Sequence, residues 1–173
     1  MLPRDLIEFV FDGGATKRYH THDTLRQQSV AEHSFGVAMF CYLLADHSPS
    51  ANLLIAALSH DLAEHRVGDV SSPVKREHPE LRSLIYRIEK GVLAKFGFEP
   101  ADLTPAEERT LKIADNLEGI HNCIRERTLG NIGVAIVFMR YCSYIEAMMP
   151  RGKELECYNV LLTKWREINE RSK

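Results

Sequence analysis

Two histidines and two aspartates stand where they could hold a metal ion. His60 and Asp61 are neighbours in the apolar run LLIAALSHDLAEH, and burying an imidazole beside a carboxylate costs free energy unless their polar atoms are compensated. His33 precedes them on a helical pattern that points it to the same interior, and Asp115 follows on an apolar helix face. A metal ion bound by His33, His60, Asp61 and Asp115 would supply that compensation.

A purely structural role is the alternative, because a lone buried His or Asp is more often a satisfied core residue than a ligand. The adjacent His60-Asp61 pair, with His33 one predicted helix earlier and Asp115 two predicted helices later, favours the metal. Two imidazoles and two carboxylates suit a divalent ion such as Mn, Co, Ni or Fe, and Zn or Mg is also compatible. Such an ion activates water near neutral pH and polarises a phosphoryl oxygen.

Glu64 is the candidate that would handle the proton of that water. It follows His60 by four residues and Asp61 by three, so on a continuous helix its carboxylate shares their face. A solvated helical Glu is the alternative. Asp61 and Glu64 are therefore the predicted catalytic residues.

The elements that must position these residues are all predicted to be helical, because no run alternates polar and apolar residues. Ser29 with Glu32, and Thr104 with Glu107, form capping-box patterns that begin two of the ligand-bearing helices. Residues 66–78 are expected to form an ordered loop. Six or seven helices are predicted: three over about 2–12 (ended by Gly13-Gly14), 29–47 and 50–65, one after Pro79 with Gly97 as its stop, one that begins at Thr104 and holds Asp115, and two over 131–149 and 153–170.

Length and composition predict one all-α domain over residues 1–173. The chain is 45% hydrophobic and 27% charged, enough to build one sizeable core. The segment IGVAIVFM at 132–139 is apolar all round, which fits a helix buried in the core or at a subunit contact. No repeat or linker divides the chain.

Charge and cysteine usage narrow the function classes. A net charge of −2 offers no general attraction to nucleic acid or acidic membranes, so a small-molecule partner is favoured. The four cysteines are widely spaced without a C-x-x-C pair and are expected to be buried thiols in a reducing compartment. With neither a signal-like start nor an apolar run of ~18 residues, a soluble cytoplasmic protein is expected.

The order H…HD…D in helical context resembles the HD phosphohydrolase superfamily. Residues 17–33, KRYHTHDTLRQQSVAEH, and 60–75, HDLAEHRVGDVSSPVK, are similar to the matching stretches of the bacterial YfbR-like 5′-deoxynucleotidases. In length and basic residues the chain also resembles the small phage dATP triphosphohydrolases of the DatZ type. The fold implied is an HD-type helical bundle.

The resemblance implies a phosphate-binding set around the metal. Arg18 and Lys75 would otherwise be read as exposed loop cations, and Gln28 is a weaker phosphate contact suggested by the same stretches. Lys112 lies one turn before Asp115, so helix geometry places it beside the metal. Arg can grip two phosphate oxygens, whereas Lys acts as a point charge.

The resemblance also implies contacts to the base and the sugar. Tyr19 and Pro73 would wall the nucleobase, although either could be ordinary packing. Asp69 resembles a carboxylate near the sugar, where it would bond the 3′-hydroxyl and favour deoxyribose. A homo-oligomer is implied as well, a hexamer for the DatZ type, in the host cytoplasm if the chain is phage-encoded.

The function expected is metal-dependent hydrolysis of a deoxynucleotide at the α-phosphorus, with dATP giving deoxyadenosine and triphosphate, and with dADP and dAMP as further substrates. A 5′-deoxynucleoside monophosphatase with the same machinery is the nearest alternative. A non-catalytic HD module that binds a nucleotide as a signal is the alternative from another class, and the complete ligand set with Glu64 counts against it.

Overall fold

The computed structural model describes residues 4–68, 70–98 and 103–171, with the backbone alone for Ser72 and Pro73. Within these ranges every regular element is a helix, which confirms the all-α prediction. The helices are α1 (Arg4–Ala15), α2 (Val30–Leu44), α3 (Ala51–Ser59), α4 (Glu64–Val67), α5 (Ser72–Glu77), α6 (Pro79–Lys95), α7 (Pro105–Thr128), α8 (Ala135–Ala147) and α9 (Lys153–Arg171). None is long and apolar enough to cross a membrane.

The long helix α7 organises the packing, since it contacts α2, α3, α8 and α9. One apolar cluster fills the space between α7, α8 and α9, where the Phe138 and Trp165 rings stack 3.8 Å apart. A second, centred on Val37, Cys41 and Ala114, joins α2, α3 and α7. Thus α2, α3 and α7 form the layer that carries the predicted ligands.

Both predicted capping boxes are present and fix where α2 and α7 begin. The Ser29 hydroxyl accepts a bond from the Glu32 amide at 3.2 Å, and the Glu32 carboxylate accepts one from the Ser29 amide at 3.1 Å. Thr104 and Glu107 repeat this arrangement, with bonds of 3.3 and 2.8 Å. Each cap satisfies amides that a helix start leaves without partners.

The prediction that Gly13-Gly14 ends α1 is wrong, because both glycines are buried inside that helix. A Cβ at Gly13 would lie 2.8 Å from the Leu62 carbonyl oxygen. Gly13 lets α1 approach the chain just after Asp61, and Gly14 faces Ala31 of α2, where a Cβ would lie 3.2 Å from the Ala31 Cβ. Close packing rather than helix termination therefore explains both glycines.

The prediction of a single helix over 50–65 is also wrong, because this part of the chain does not stay helical throughout. It breaks after Ser59 into a tight turn, in which the Leu62 amide bonds the Ser59 carbonyl and the Glu64 amide bonds the Asp61 carbonyl, three residues back in each case. Further along, the expected loop 66–78 contains the short helix α5. His60 and Asp61 therefore lie at a helix end, where side chains are not confined to one helical face.

The segment at 132–139, apolar all round in sequence, has one buried and one exposed side. Val134, Val137 and Phe138 enter the core, whereas Ile132 and Ile136 are exposed with Met139 on the outer side. The cysteine prediction is confirmed in its main point: all four are free thiols, and Cys41, Cys123 and Cys142 are buried while Cys157 is partly so.

Candidate metal centre

Three of the four predicted ligands converge at one point between α2, the α3–α4 turn and α7. Ligand atoms of His33, His60 and Asp115 all lie within 4.8 Å of one another. The Nε2 atom of His33 is 3.1 Å from an Asp115 carboxylate oxygen, and the two imidazole rings are 5.3 Å apart between centroids. Side chains from distant parts of the chain thus form one compact donor set.

Asp61 adjoins this set. Its two carboxylate oxygens lie 3.5 Å from the Nε2 atoms of His33 and His60 respectively. The oxygen facing His33 is also paired with the guanidinium of Arg18. Asp61 is thus within reach of both imidazoles while it neutralises a buried arginine.

The orientation of both imidazoles fits a metal ion. The Nδ1 atom of His60 lies 2.9 Å from the Ala57 carbonyl oxygen, and that of His33 contacts the Glu118 carboxylate. Because both partners can only accept, each Nδ1 carries the proton in the neutral ring and each Nε2 offers a lone pair. Both Nε2 atoms are buried without a well-oriented hydrogen bond. A divalent cation would use these lone pairs.

The electrostatics of the centre also favour a cation. Burial and the Arg18 charge lower the pKa of His33, but the neighbouring carboxylates of Asp115 and Glu118 outweigh them and raise it to about 9, so that the surroundings of this ring attract a positive charge, whether a proton or a metal ion. Burial raises the pKa of Asp61, yet the neighbouring His60 imidazole and Arg18 guanidinium hold it well below its usual range. Burial likewise raises the pKa of Asp115, but the contact with His33 outweighs it and lowers that pKa, so both aspartates are ionised and attract positive charge to the point where the Nε2 atoms meet.

Glu64 is buried at the first position of α4, and its amide bonds the Asp61 carbonyl at 3.0 Å. The predicted continuous helical face does not exist, because the turn intervenes. Glu64 nevertheless stays one tight turn from Asp61, through this backbone bond instead of helical spacing.

Arg18 and Tyr19 belong to a loop whose two ends pair. Lys17 and Ser29 form an isolated antiparallel bridge, and the Arg18 amide bonds the Gln28 carbonyl at 3.0 Å. This pairing brings Arg18 to Asp61, with its guanidinium 5.7 Å from the centre of the Tyr19 ring. Sequence periodicity did not predict the pairing.

The Tyr19 hydroxyl lies 2.9 Å from the Tyr141 hydroxyl of α8. Burial raises the pKa of both phenols, so both stay protonated and can donate. Tyr141 lies in the chain after residue 125, where no motif pointed to the site. Its contact with Tyr19, whose ring lies 5.7 Å from the Arg18 guanidinium, places it near the centre.

The other predicted substrate residues differ in their surroundings. Lys75, on α5, is half-buried 3.9 Å from Glu89, and its charge helps to lower the pKa of Asp61. Lys112 is exposed on α7. Gln28 is buried and donates to Glu118 at 2.7 Å, so its amide faces that carboxylate. Asp69 and the side chain of Pro73 lie outside the described residues.

Two buried glutamates of α7 were missed by sequence reasoning. Glu118 contacts His33 and Gln28. Glu126 accepts bonds from the amides of Leu25 and Arg26, at 2.7 and 2.9 Å, and holds the loop after Tyr19. Glu118 could have been identified from its position three residues after Asp115, which places both on one side of the helix.

Solved HD-domain phosphohydrolases share this all-helical fold. An HD-domain phosphohydrolase from Listeria innocua superposes with a TM-score of 0.73 at 20% identity, over 93% of this chain and 88% of that one. The Cyanophage S-2L HD phosphohydrolase DatZ, solved with dA and one catalytic Zn²⁺ ion, gives a TM-score of 0.67 at 23% identity, over 94% and 95% of the two chains.

Residues 14–159 match the family of YfbR-like 5′-deoxynucleotidases, and the chain belongs to that family. It is thus a phosphohydrolase enzyme. The dATP triphosphohydrolase of Cyanophage S-2L is 32% identical over 108 residues, 60% of this chain and 61% of that protein. The 5′-deoxynucleotidase VV1113 of Vibrio vulnificus is 26% identical over 146 residues, 72% and 75% of the two.

Proposed function

We propose that the enzyme hydrolyses deoxynucleotides at the α-phosphorus in a metal-dependent reaction, with dATP giving deoxyadenosine and triphosphate. The observation that carries this proposal is the convergence of two buried, unbonded Nε2 atoms with the Asp115 carboxylate. Support for the substrate comes from the names of two relatives, a dATP triphosphohydrolase and a 5′-deoxynucleotidase, and from the dA bound to DatZ.

His33, His60, Asp61 and Asp115 would hold the metal. A bound divalent ion activates water and polarises a phosphoryl oxygen. The set tolerates Co, Mn, Zn, Ni, Fe or Mg, and the Zn²⁺ in DatZ makes zinc a natural first choice for loading. The remaining steps fall to protein groups around the ligands.

Bond cleavage transfers one proton from water to the nucleoside. The water oxygen bonds to the α-phosphorus, the bond from that phosphorus to the 5′-oxygen breaks, and the 5′-oxygen leaves as the nucleoside hydroxyl. Glu64, buried one turn from Asp61, would accept the water proton.

Arg18 would bind the phosphate oxygens. In the absence of substrate its guanidinium pairs with Asp61, and its Nε is buried without a hydrogen-bond partner. A phosphate beside the metal would provide acceptors for several guanidinium donors at once. Lys75 adds positive charge from α5, and exposed Lys112 would bind the phosphates beyond the α-phosphate.

The test is to incubate zinc-loaded protein with dATP, dADP, dAMP and ATP in H₂¹⁸O and to resolve all products. We expect deoxyadenosine and triphosphate from dATP, with the label in the triphosphate. Release of dAMP and pyrophosphate would contradict attack at the α-phosphorus with a nucleoside leaving group. Turnover of monophosphates alone would favour the 5′-monophosphatase, and binding without turnover would favour the non-catalytic module.

Asp61→Asn is the matched inactive control for this assay. The substitution keeps the shape of the side chain but removes the charge that faces both imidazoles and Arg18. We expect turnover to fall by at least ~100-fold, the scale of losing one electrostatic contact in an active site. Parent-like turnover by Asp61→Asn would exclude the proposed ligand set.

A further inference from the structure

Glu118 is a buried carboxylate that the proposed reaction does not use directly. It lies one turn after Asp115 on α7 and is 4% exposed. One of its oxygens contacts the Nδ1 atom of His33, and the other accepts a bond of 2.7 Å from the Gln28 amide. Both oxygens therefore have side-chain partners, and neither faces solvent.

The contact with His33 determines which nitrogen can bind a cation. A carboxylate at Nδ1 accepts the proton of that nitrogen, so the lone pair stays on Nε2. His33 is itself fully buried, so water cannot replace this partner. Carboxylates that contact the far nitrogen of a ligand imidazole fix the ring and increase its basicity.

Two neighbours hold Glu118 in this position. Gln28 is 2% exposed and prevents the carboxylate from rotating away from His33. Gly36, one turn after His33 on α2, leaves the space that the Glu118 chain occupies, because a Cβ there would lie 2.5 Å from the Glu118 Cγ. Helix α2 thus supplies both the imidazole and the space for its partner.

We propose that Glu118 is a positioning residue that fixes the His33 imidazole with Nε2 toward the metal and thereby sets the metal affinity of the centre. The proposal rests on the metal-dependent function proposed above. It concerns the affinity for the ion, which is measurable without any nucleotide.

Glu126 provides a matched control on the same helix. It is 1% exposed, and it bonds the amides of Leu25 and Arg26 and the side chain of Asn131. It contacts none of the predicted ligands in these bonds. Glu126→Gln therefore removes a buried charge of the same helix without touching His33.

The experiment measures the dissociation constant of Zn²⁺ for the full chain by chelator competition, in the parent, Glu118→Gln and Glu126→Gln. We expect Glu118→Gln to weaken binding by ~10–100-fold, the usual effect of losing such a partner, with Glu126→Gln equal to the parent. The Co²⁺ absorption spectrum should change in Glu118→Gln alone, because it reports the geometry of the ligands.

Parent-like Zn²⁺ affinity in Glu118→Gln would overturn the proposal, and so would equal weakening by both substitutions. If Glu118→Gln fails to fold by circular dichroism, Gly36→Ala tests the same contact by displacing Glu118, and it must also weaken Zn²⁺ binding. A parent that binds Zn²⁺ with this dependence on Glu118 but hydrolyses no deoxynucleotide would overturn the proposed function and support the positioning role.

Discussion

The hydroxyl oxygens of Tyr19 and Tyr141 lie 2.9 Å apart and join the Arg18 loop to α8 beside the metal centre. This contact depends on Gly119 of α7, because a Cβ at that position would lie 2.4 Å from the Tyr141 ring. The absence of a side chain at one position of α7 thus determines how closely α8 approaches the site.

Gly119→Ala should therefore destabilise the protein. Alanine is the better helix former, but here its methyl overlaps a buried ring, and overpacking of this kind costs about 1–3 kcal/mol. Urea denaturation measures the change in the free energy of unfolding. Gly91→Ala on α6 is the control, since among the described residues nothing beyond its own helix backbone and chain neighbours lies within 4 Å of its Cβ position, and it should be neutral or stabilising. Equal effects of the two substitutions would contradict the packing argument.

Arg18→Gln should reduce kcat/KM for dATP by ~100-fold or more, because it removes donors aimed at the developing phosphate charge. Steady-state kinetics at saturating zinc measure this loss. Arg26→Gln changes an arginine of the same loop that pairs with Glu32 at the start of α2 and should leave kcat/KM near the parent value. Equal losses of kcat/KM in both variants would mean that the net positive charge of the loop, and not the position of Arg18, supports the reaction.

The ion pair between Arg109 of α7 and Glu154 of α9 should make stability depend on pH. Burial raises the pKa of Glu154, but two bonds from Arg109, at 2.9 and 2.8 Å, outweigh it and lower the pKa below its usual 4.5. A lowered pKa means that the pair stabilises the fold above that usual value and loses its effect as pH falls through the lowered one.

Glu154→Gln should accordingly lower the free energy of unfolding at pH 7 by about 1–2 kcal/mol, the scale of partly buried charged hydrogen bonds. The difference from the parent should shrink as the pH is lowered from 5 to 3. Glu156→Gln, at an exposed position of α9, should show no such trend. A difference that is constant with pH would argue against the ion pair.

The homo-oligomer remains a prediction, and the outer side of α8 is where it can be tested. Ile136 and Met139 of α8 form an apolar strip with Ile132, which lies in the turn before that helix, and the three are between 52% and 73% exposed. If this strip is the subunit contact, Ile136→Lys should shift the sedimentation coefficient to that of a monomer. Val160→Lys on α9, where the parent residue is 67% exposed, should not. A parent that sediments as a monomer would contradict the prediction.

Much of the site could be predicted because charge inside an apolar helix is conspicuous. His60 with Asp61, and Asp115, are ionisable groups in otherwise hydrophobic runs, and the two capping boxes located the helix starts. Glu118 could not be recognised in the same way, because α7 carries further polar residues at spacings that also fit a solvated face. Its burial depends on Gly36, which lies in a different helix.

The break after Ser59 escaped prediction for a different physical reason. Residues 50–65 have good helical periodicity, and neither Gly nor Pro interrupts them. The chain turns there because α1 packs against Leu62 through Gly13, a tertiary contact that local propensity does not contain. Such contacts also explain why Gly13-Gly14 extends α1 instead of ending it.

The capping box at Ser29 fixes where α2 begins, so the number of residues between Ser29 and His33 determines the direction of the His33 side chain. His33 stands four residues after the cap, and each residue of an α-helix turns the side chain by about 100°. One codon inserted between Glu32 and His33 would keep the cap and the helix but rotate the imidazole away from α7. We therefore expect a substitution of exposed Ala31 to be tolerated far better than an insertion or deletion before His33, so that sequence length there is under stronger constraint than the identity of that residue.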